Sequence, residues 1–263
     1  MKKLVSLLTG GLLVLALLTG CGANSQSGNQ PQPKEIYISA AASLKSALTQ
    51  LANTYEQQHK DVKLRFNYGA SGDLAQQIQQ GAPVDLFISA GKAEMDRLEQ
   101  KNLLQTGTRL DLLSNELVLI VGKDNNSVSS VQDLTKAGII KVAIGSPQSV
   151  PAGKYAQESL TSLNLWNPLQ SKLVYGKDVT QVLTYVETGN ADAGLVYGSD
   201  AKLSKQVKVA YSIPDSAHKP IVYPAAVIAA SQQKSAAGDF LKYLQSSEAQ
   251  AVFTGYGFKT LSK

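Results

Sequence analysis

IYISAAASLKSALTQLA, residues Ile36 to Ala52, is the stretch that decides the fold. Its first three residues are β-branched and aromatic, the composition of a buried strand. Leu44, Ala47, Leu48 and Leu51 then fall at i, i+3, i+4 and i+7, one face of a helix. Only small residues and Ser43 separate the two. Serine is a preferred N-cap, which places the helix start at Ser43. A strand running straight into a helix leaves the first-turn N–H groups without partners, and the helix dipole adds positive charge there. Small side chains let an anion approach. Alone, such a junction is an ordinary turn of an α/β domain, but the chain repeats it three more times.

Val62 to Phe66 alternates as a strand and runs through Asn67-Tyr68-Gly69-Ala70 to a helix patterned on Leu74 and Ile78. Ser71 is its expected N-cap, and Gly81-Ala82-Pro83 stops it. Asp85 to Ala90 reads as a third strand and Gly91 to Gln100 as a third helix. The run LVLIV, Leu117 to Val121, is a strand that is central or crosses between lobes. Lys141 to Gly145 is a strand leading into SPQSVPAG, with Pro151 at a helix start and the Ala152 amide free to donate. Leu173 to Tyr175 leads into Gly176-Lys177-Asp178-Val179, where Asp178 is a natural N-cap and exposes the Val179 amide. That helix ends at Gly189. A fifth junction follows the strand Ala193 to Tyr197, and Val207 to Ile213 is a further strand. Ile221 to Ala230 is a second candidate crossing strand, and Ala236 to Leu244 and Ser247 to Phe253 are helices. The alternation predicts an α/β fold with a largely parallel sheet.

Lys2 and Lys3 precede an apolar run from Leu4 to Leu18, too short to span a bilayer and patterned as a secretory signal. Leu18-Thr19-Gly20-Cys21 resembles the lipobox of bacterial lipoproteins, which implies a signal peptide over 1–20 and acylation of Cys21. The protein is then expected at the outer face of the cytoplasmic membrane, or in a periplasm, held by that lipid. Cys21 is the single cysteine, so no intramolecular disulfide is available. Residues 21–34, rich in Gln, Ser, Asn, Gly and Pro, read as a flexible tether. The formal charge of +5 drops to +3 without Lys2 and Lys3, and no basic run interleaves with aromatics. Nothing in this pattern suggests a nucleic-acid partner.

The sequence offers no catalytic set. His59 and His218, the two histidines, lie in polar segments away from other ligand types, and no metal-ligand spacing appears. Gly69-Ala70-Ser71-Gly72 lacks the lysine of a phosphate loop. Ser43 and Ser71 have no evident base to activate them, and Asp73, Asp85 and Asp178 sit where capping carboxylates sit. What the chain does offer is helix starts fronted by small or hydroxyl residues at Ser43, Ser71, Ala152 and Val179. In an open α/β sheet the strand ends converge on one crevice. Converging donors without a base suit a fully deprotonated oxyanion, each charge-assisted bond contributing roughly 1.5–3 kcal/mol. An anion that carries a proton needs an acceptor that such a site lacks.

Tyr68-Gly69-Ala70-Ser71-Gly72-Asp73-Leu74-Ala75-Gln76-Gln77-Ile78, with Gly81-Ala82-Pro83-Val84-Asp85-Leu86-Phe87-Ile88-Ser89-Ala90, resembles the periplasmic molybdate-binding proteins of molybdate ABC transporters. Gly176-Lys177-Asp178-Val179 and Gly189-Asn190-Ala191-Asp192-Ala193-Gly194-Leu195-Val196-Tyr197 are similar in the same way, and the likeness runs from Glu35 to Phe258. It implies a type II periplasmic-binding-protein fold: two α/β lobes joined by two crossing strands, with a ligand cleft between them. The lobes would be 35–115 plus 223–263, and 116–222. Ser43, Ser71, Ala152, Val179 and Tyr197 would touch the oxygens of the metal oxyanion, Tyr197 through its hydroxyl. Molybdate is the implied ligand, with tungstate, and a membrane permease of an ABC transporter the implied partner. A monomer with no catalytic residue and no cofactor is expected. The alternatives are a receptor for sulfate or another tetrahedral oxyanion, an esterase using Ser43 or Ser71, and a structural surface lipoprotein. The lack of a nearby histidine argues against the esterase.

Overall fold

The computed structural model describes residues 33–261; the expected signal peptide, Cys21 and most of the expected tether lie outside the described residues. Lys34 is not tether but the first residue of β1 (Lys34–Ala41), because its backbone pairs with the Val62 end of the neighbouring strand. A 3-10 turn, Ala42–Leu44, joins β1 to α1 (Lys45–Gln58). β2 (Val62–Gly69) and α2 (Ser71–Gln79) follow, then β3 (Leu86–Ile88) and α3 (Lys92–Gln100). β4 (Leu110–Ser114) and β5 (Leu117–Gly122) are separated by two residues. Next come β6 (Val142–Gly145), α4 (Pro151–Ser162), α5 (Trp166–Leu169), β7 (Leu173–Gly176) and α6 (Val179–Glu187). β8 (Ala193–Tyr197), α7 (Gly198–Leu203), β9 (Val207–Ser212) and β10 (Val222–Val227) precede α8 (Lys234–Tyr243), α9 (Ser247–Gly255) and β11 (Lys259–Thr260).

The strands form two sheets, in the orders β11-β4-β10-β3-β1-β2 and β7-β6-β8-β5-β9. β1 is parallel to β2 and β3, and β6 to β7 and β8, as strand–helix–strand units require. The sheets are nevertheless mixed, which corrects the expectation of a largely parallel one. β5 runs antiparallel to β8 and β9, and β10 antiparallel to β3 and β4. Each is the first strand after the chain passes from one sheet to the other. The first passage is only Asn115–Glu116. The second, residues 213–221, contains one 3-10 turn.

Both lobes hold their helices by the stripe visible in the sequence. Ala47, Leu48, Leu51 and Tyr55 of α1 are buried in the same apolar cluster as Ile36 and Ile38 of β1. Each large side chain so buried contributes roughly 1.5–3 kcal/mol. In the second lobe Leu117 to Val121 is wholly buried. Gly81 (φ 89°) and Gly189 (φ 70°) sit just beyond α2 and α6 in the left-handed region that ends helices cheaply. Pro224 lies inside a sheet, where its missing N–H is tolerated because the ladder shifts register between Tyr223 and Pro224.

Candidate ligand site

Residues from six strand-to-helix junctions line one cavity between the lobes. It has about 210 Å³ of atom-free space, some of it continuous with solvent. Ser43, Ser71, Ala152, Val179 and Tyr197 all line it, and all five are buried. The structure therefore brings together every residue singled out from the sequence as a ligand contact.

Their local settings differ from expectation in two cases. Ser43 is not an N-cap: β1 continues to Ala41, and Ser43 is the middle residue of the 3-10 turn. Its Oγ is 3.0 Å from the Tyr223 hydroxyl. Ser71 is the first residue of α2, and Ala70 holds the N-cap position. Its Oγ is occupied as an acceptor by the Ala90 amide at 2.9 Å, so its proton remains to be given. In both cases the small-residue run lets the strand extend further than a polar cap would. Ala152 is the second residue of α4, behind Pro151 at the first. Gly145 and Gly153 make that start possible: a Cβ on Gly153 would lie 2.0 Å from the Gly145 carbonyl oxygen. Val179 opens α6, and Asp178 caps it by accepting from the Gln181 amide at 2.8 Å, as the sequence indicated. First-turn amides such as those of Ala152 and Val179 have no acceptor in their own helix. Tyr197 precedes α7, and its hydroxyl donates to the Ala90 carbonyl at 3.3 Å, from one lobe to the other.

Among the described residues, no lysine, arginine or histidine lines this cavity. The one carboxylate in its wall, Asp178, has an oxygen committed to the cap. The positive potential comes from helix starts, and the donors are hydroxyls and main chain. Burial holds the Tyr197 and Tyr223 hydroxyls well above the ordinary tyrosine range, so both keep their protons. A larger groove beside the cavity is lined by Lys92, Lys154 and Lys219 together with Glu94, Asp96 and Glu158, a mixed-charge surface of another kind.

Three features escaped the sequence reading. The lobes touch directly, since the Gly72 amide donates to the Ser149 carbonyl at 2.8 Å across the cleft. Asn115, in the two-residue passage, bonds Ser199 and Tyr223. Asp200, third residue of α7, is buried with Oδ2 unpartnered; burial pushes its pKa up to about 7, and the charge of Asp178 adds to that. The Gly69 to Gly72 run was a signal for the first.

Two α/β lobes, two passages between them and a donor-lined cleft define a two-lobed binding protein of the type II periplasmic-binding-protein architecture. The family model described as bacterial extracellular solute-binding protein matches residues 36–259, and the chain belongs to that family. It is 42% identical over 259 residues to YvgL of Bacillus subtilis (strain 168), named as a candidate ABC transporter substrate-binding lipoprotein, covering 98% of this chain and 99% of that one. It is 39% identical over 264 residues to the molybdate-binding protein ModA of Haemophilus influenzae, covering 98% and 99%. Among solved structures, the substrate-binding domain of a candidate molybdenum ABC transporter from Clostridium difficile is 48% identical. That domain superposes with a TM-score of 0.68, covering 87% of this chain and 99% of its own.

Proposed function

We propose that this protein is a lipid-anchored extracytoplasmic receptor that closes on molybdate, takes tungstate as well, and presents the oxyanion to an ABC permease. The observation that carries the reading is the cavity wall: Ser43, Ser71, Ala152, Val179 and Tyr197 meet there with no cationic side chain among the described residues. A doubly charged tetrahedral anion accepts from hydroxyls and main-chain amides at every oxygen and leaves no donor buried without a partner. The relatives named for molybdate at 39% identity over nearly the whole chain support the same ligand. Residues 34–115 plus 222–261 form one lobe of the clamp and 116–221 the other, hinged at Asn115–Glu116 and at the passage after β9. Ligand held by donors of both lobes stabilises the closed form by its differential affinity. The protein acts by binding and release and not by catalysis. Cys21 carries the anchor, a reading supported by the lipoprotein name of the Bacillus relative.

A thermal-shift panel tests this. At a thousandfold excess over Kd, a ligand stabilises the native state by about 4 kcal/mol. Molybdate and tungstate should raise the midpoint strongly, sulfate and monohydrogen phosphate weakly. An equal shift with sulfate would reassign the ligand, and no shift with any oxyanion would remove the receptor reading.

A further inference from the structure

Ser43 does not stand alone at the cavity wall. Its Oγ is 3.0 Å from the Tyr223 hydroxyl, and that hydroxyl is 3.3 Å from Nδ2 of Asn115. Nδ2 also donates to Ser199 Oγ at 2.8 Å. Ser43, Tyr223, Asn115 and Ser199 are all buried. The direction of every bond in this chain can be worked out. The Asn115 side-chain oxygen accepts from the Glu116 amide at 3.0 Å and the Ser199 amide at 3.4 Å. Main-chain N–H groups only donate, so the amide cannot be flipped, and Nδ2 must face Ser199 and Tyr223. Nδ2 carries two hydrogens and no acceptor lone pair, so one goes to each partner. The Tyr223 oxygen is therefore an acceptor toward Asn115, and its single proton is left for Ser43. Ser43 Oγ accepts that proton, and its own hydrogen has the cavity to turn to.

We propose that Asn115 and Tyr223 are positioning residues that fix the polarity of Ser43, holding its hydroxyl as a donor toward the bound oxyanion. The proposal rests on the oxyanion-receptor reading and deepens it. A serine hydroxyl left to itself rotates and can accept as readily as it donates. With Tyr223 giving to it, Ser43 is presented with its proton outward, which suits a fully deprotonated oxyanion and disfavours one that must donate, such as monohydrogen phosphate. The same chain reaches Asn115 in the passage between the lobes, so the donor is set by the segment on which the lobes move. Burial of the Tyr223 hydroxyl keeps it protonated, which the arrangement requires.

Tyr223→Phe removes the hydroxyl and keeps the ring between Tyr197 and Phe258, against both of which it packs edge to face. The test is a double-mutant cycle on the full chain, read by titration calorimetry with molybdate and with monohydrogen phosphate. Tyr223→Phe should weaken molybdate roughly ten-fold and narrow the molybdate-to-phosphate ratio, and Ser43→Ala should weaken molybdate at least as much. The double variant should be no weaker than Ser43→Ala alone, because Tyr223 acts only through Ser43. Additive losses, an unchanged phosphate ratio, or wild-type affinity in Tyr223→Phe would each overturn the relay while leaving the receptor intact. A wild-type protein that binds neither anion would overturn the receptor reading itself. A packing defect in Tyr223→Phe would weaken molybdate and phosphate alike and add to the loss from Ser43→Ala, whereas lost polarity narrows the ratio and does not add.

Discussion

Replacing Gly72 by alanine should cripple ligand binding without touching any proposed donor. Gly72 is the second residue of α2, and its amide donates to Ser149 across the cleft. A Cβ placed there would lie 2.5 Å from the Ser149 carbonyl oxygen and 2.7 Å from its Cα, where ordinary contact begins at 3.4 Å. Both neighbours are main chain, and the turn that carries them is stiff. The Val150 amide bonds back to Ser146 at 2.8 Å, and Gly145 packs under Val150. The lobes must then part by roughly 0.9 Å at this point, which breaks the Gly72–Ser149 bond, worth about 1 kcal/mol net. The same displacement stretches the contacts that the Ala152 and Val179 amides make to a ligand held by Ser43 and Ser71. Losing the equivalent of one charge-assisted bond adds roughly 1.5–3 kcal/mol. The sum, about 2.5–4 kcal/mol, corresponds to an affinity loss of roughly seventy- to a thousand-fold. An open cleft does not bring Gly72 to Ser149, so unliganded stability should hold or rise slightly, alanine being the better helix residue. Calorimetry with molybdate and small-angle scattering with and without it would read both effects. A Gly72→Ala protein that binds and compacts as wild type does would show that closure does not need this contact.

Three further outcomes follow from the same geometry. Ser71→Ala removes a proton donor to the ligand and leaves the buried Ala90 amide without its acceptor, so molybdate affinity should drop by about 1–3 kcal/mol, checked by calorimetry. Asp200 has a folded pKa near 7 against 3.8 unfolded, so between those values the native state holds a proton that the unfolded state has lost. Stability should therefore fall as pH rises from about 4 to 7, by an amount on the order of 1 kcal/mol per unit, and Asp200→Asn should flatten that slope in pH-dependent denaturant melts. Cys21→Ser should release the protein from the membrane fraction or leave its precursor uncleaved, and a variant still cleaved after Gly20 and still membrane-bound would refute lipid anchoring.

Much of this was legible because the chain is locally consistent. The helix face from Leu44 to Leu51, the cap at Asp178, the stops at Gly81 and Gly189 and the proline at the start of α4 each depend on neighbours within one or two turns, and such patterns survive into the fold. Ser43 and Ser71 were located as cavity residues but misread as caps, since a cap is settled by strand length and both strands run on to the small residues before them. The mixed sheets were not legible: strand direction depends on how the chain crosses between lobes, and β4, a partly polar LDLLS, carries little strand pattern. Asp200 and Asn115 escaped because nothing in Gly198-Ser199-Asp200 or Ser114-Asn115-Glu116 announces burial. It follows from packing between residues far apart in the chain, as the bond from Asn115 to Ser199 shows.

The most direct test of the central claim is a calorimetric titration of the wild-type protein with molybdate, repeated in the presence of excess sulfate and of excess monohydrogen phosphate. The account predicts one site per chain, with molybdate affinity little changed by either competitor: the donor-only wall disfavours protonated phosphate, and the relatives named for molybdate favour that ion over sulfate. No saturable binding of molybdate, or full displacement by sulfate or phosphate at comparable concentration, would contradict it.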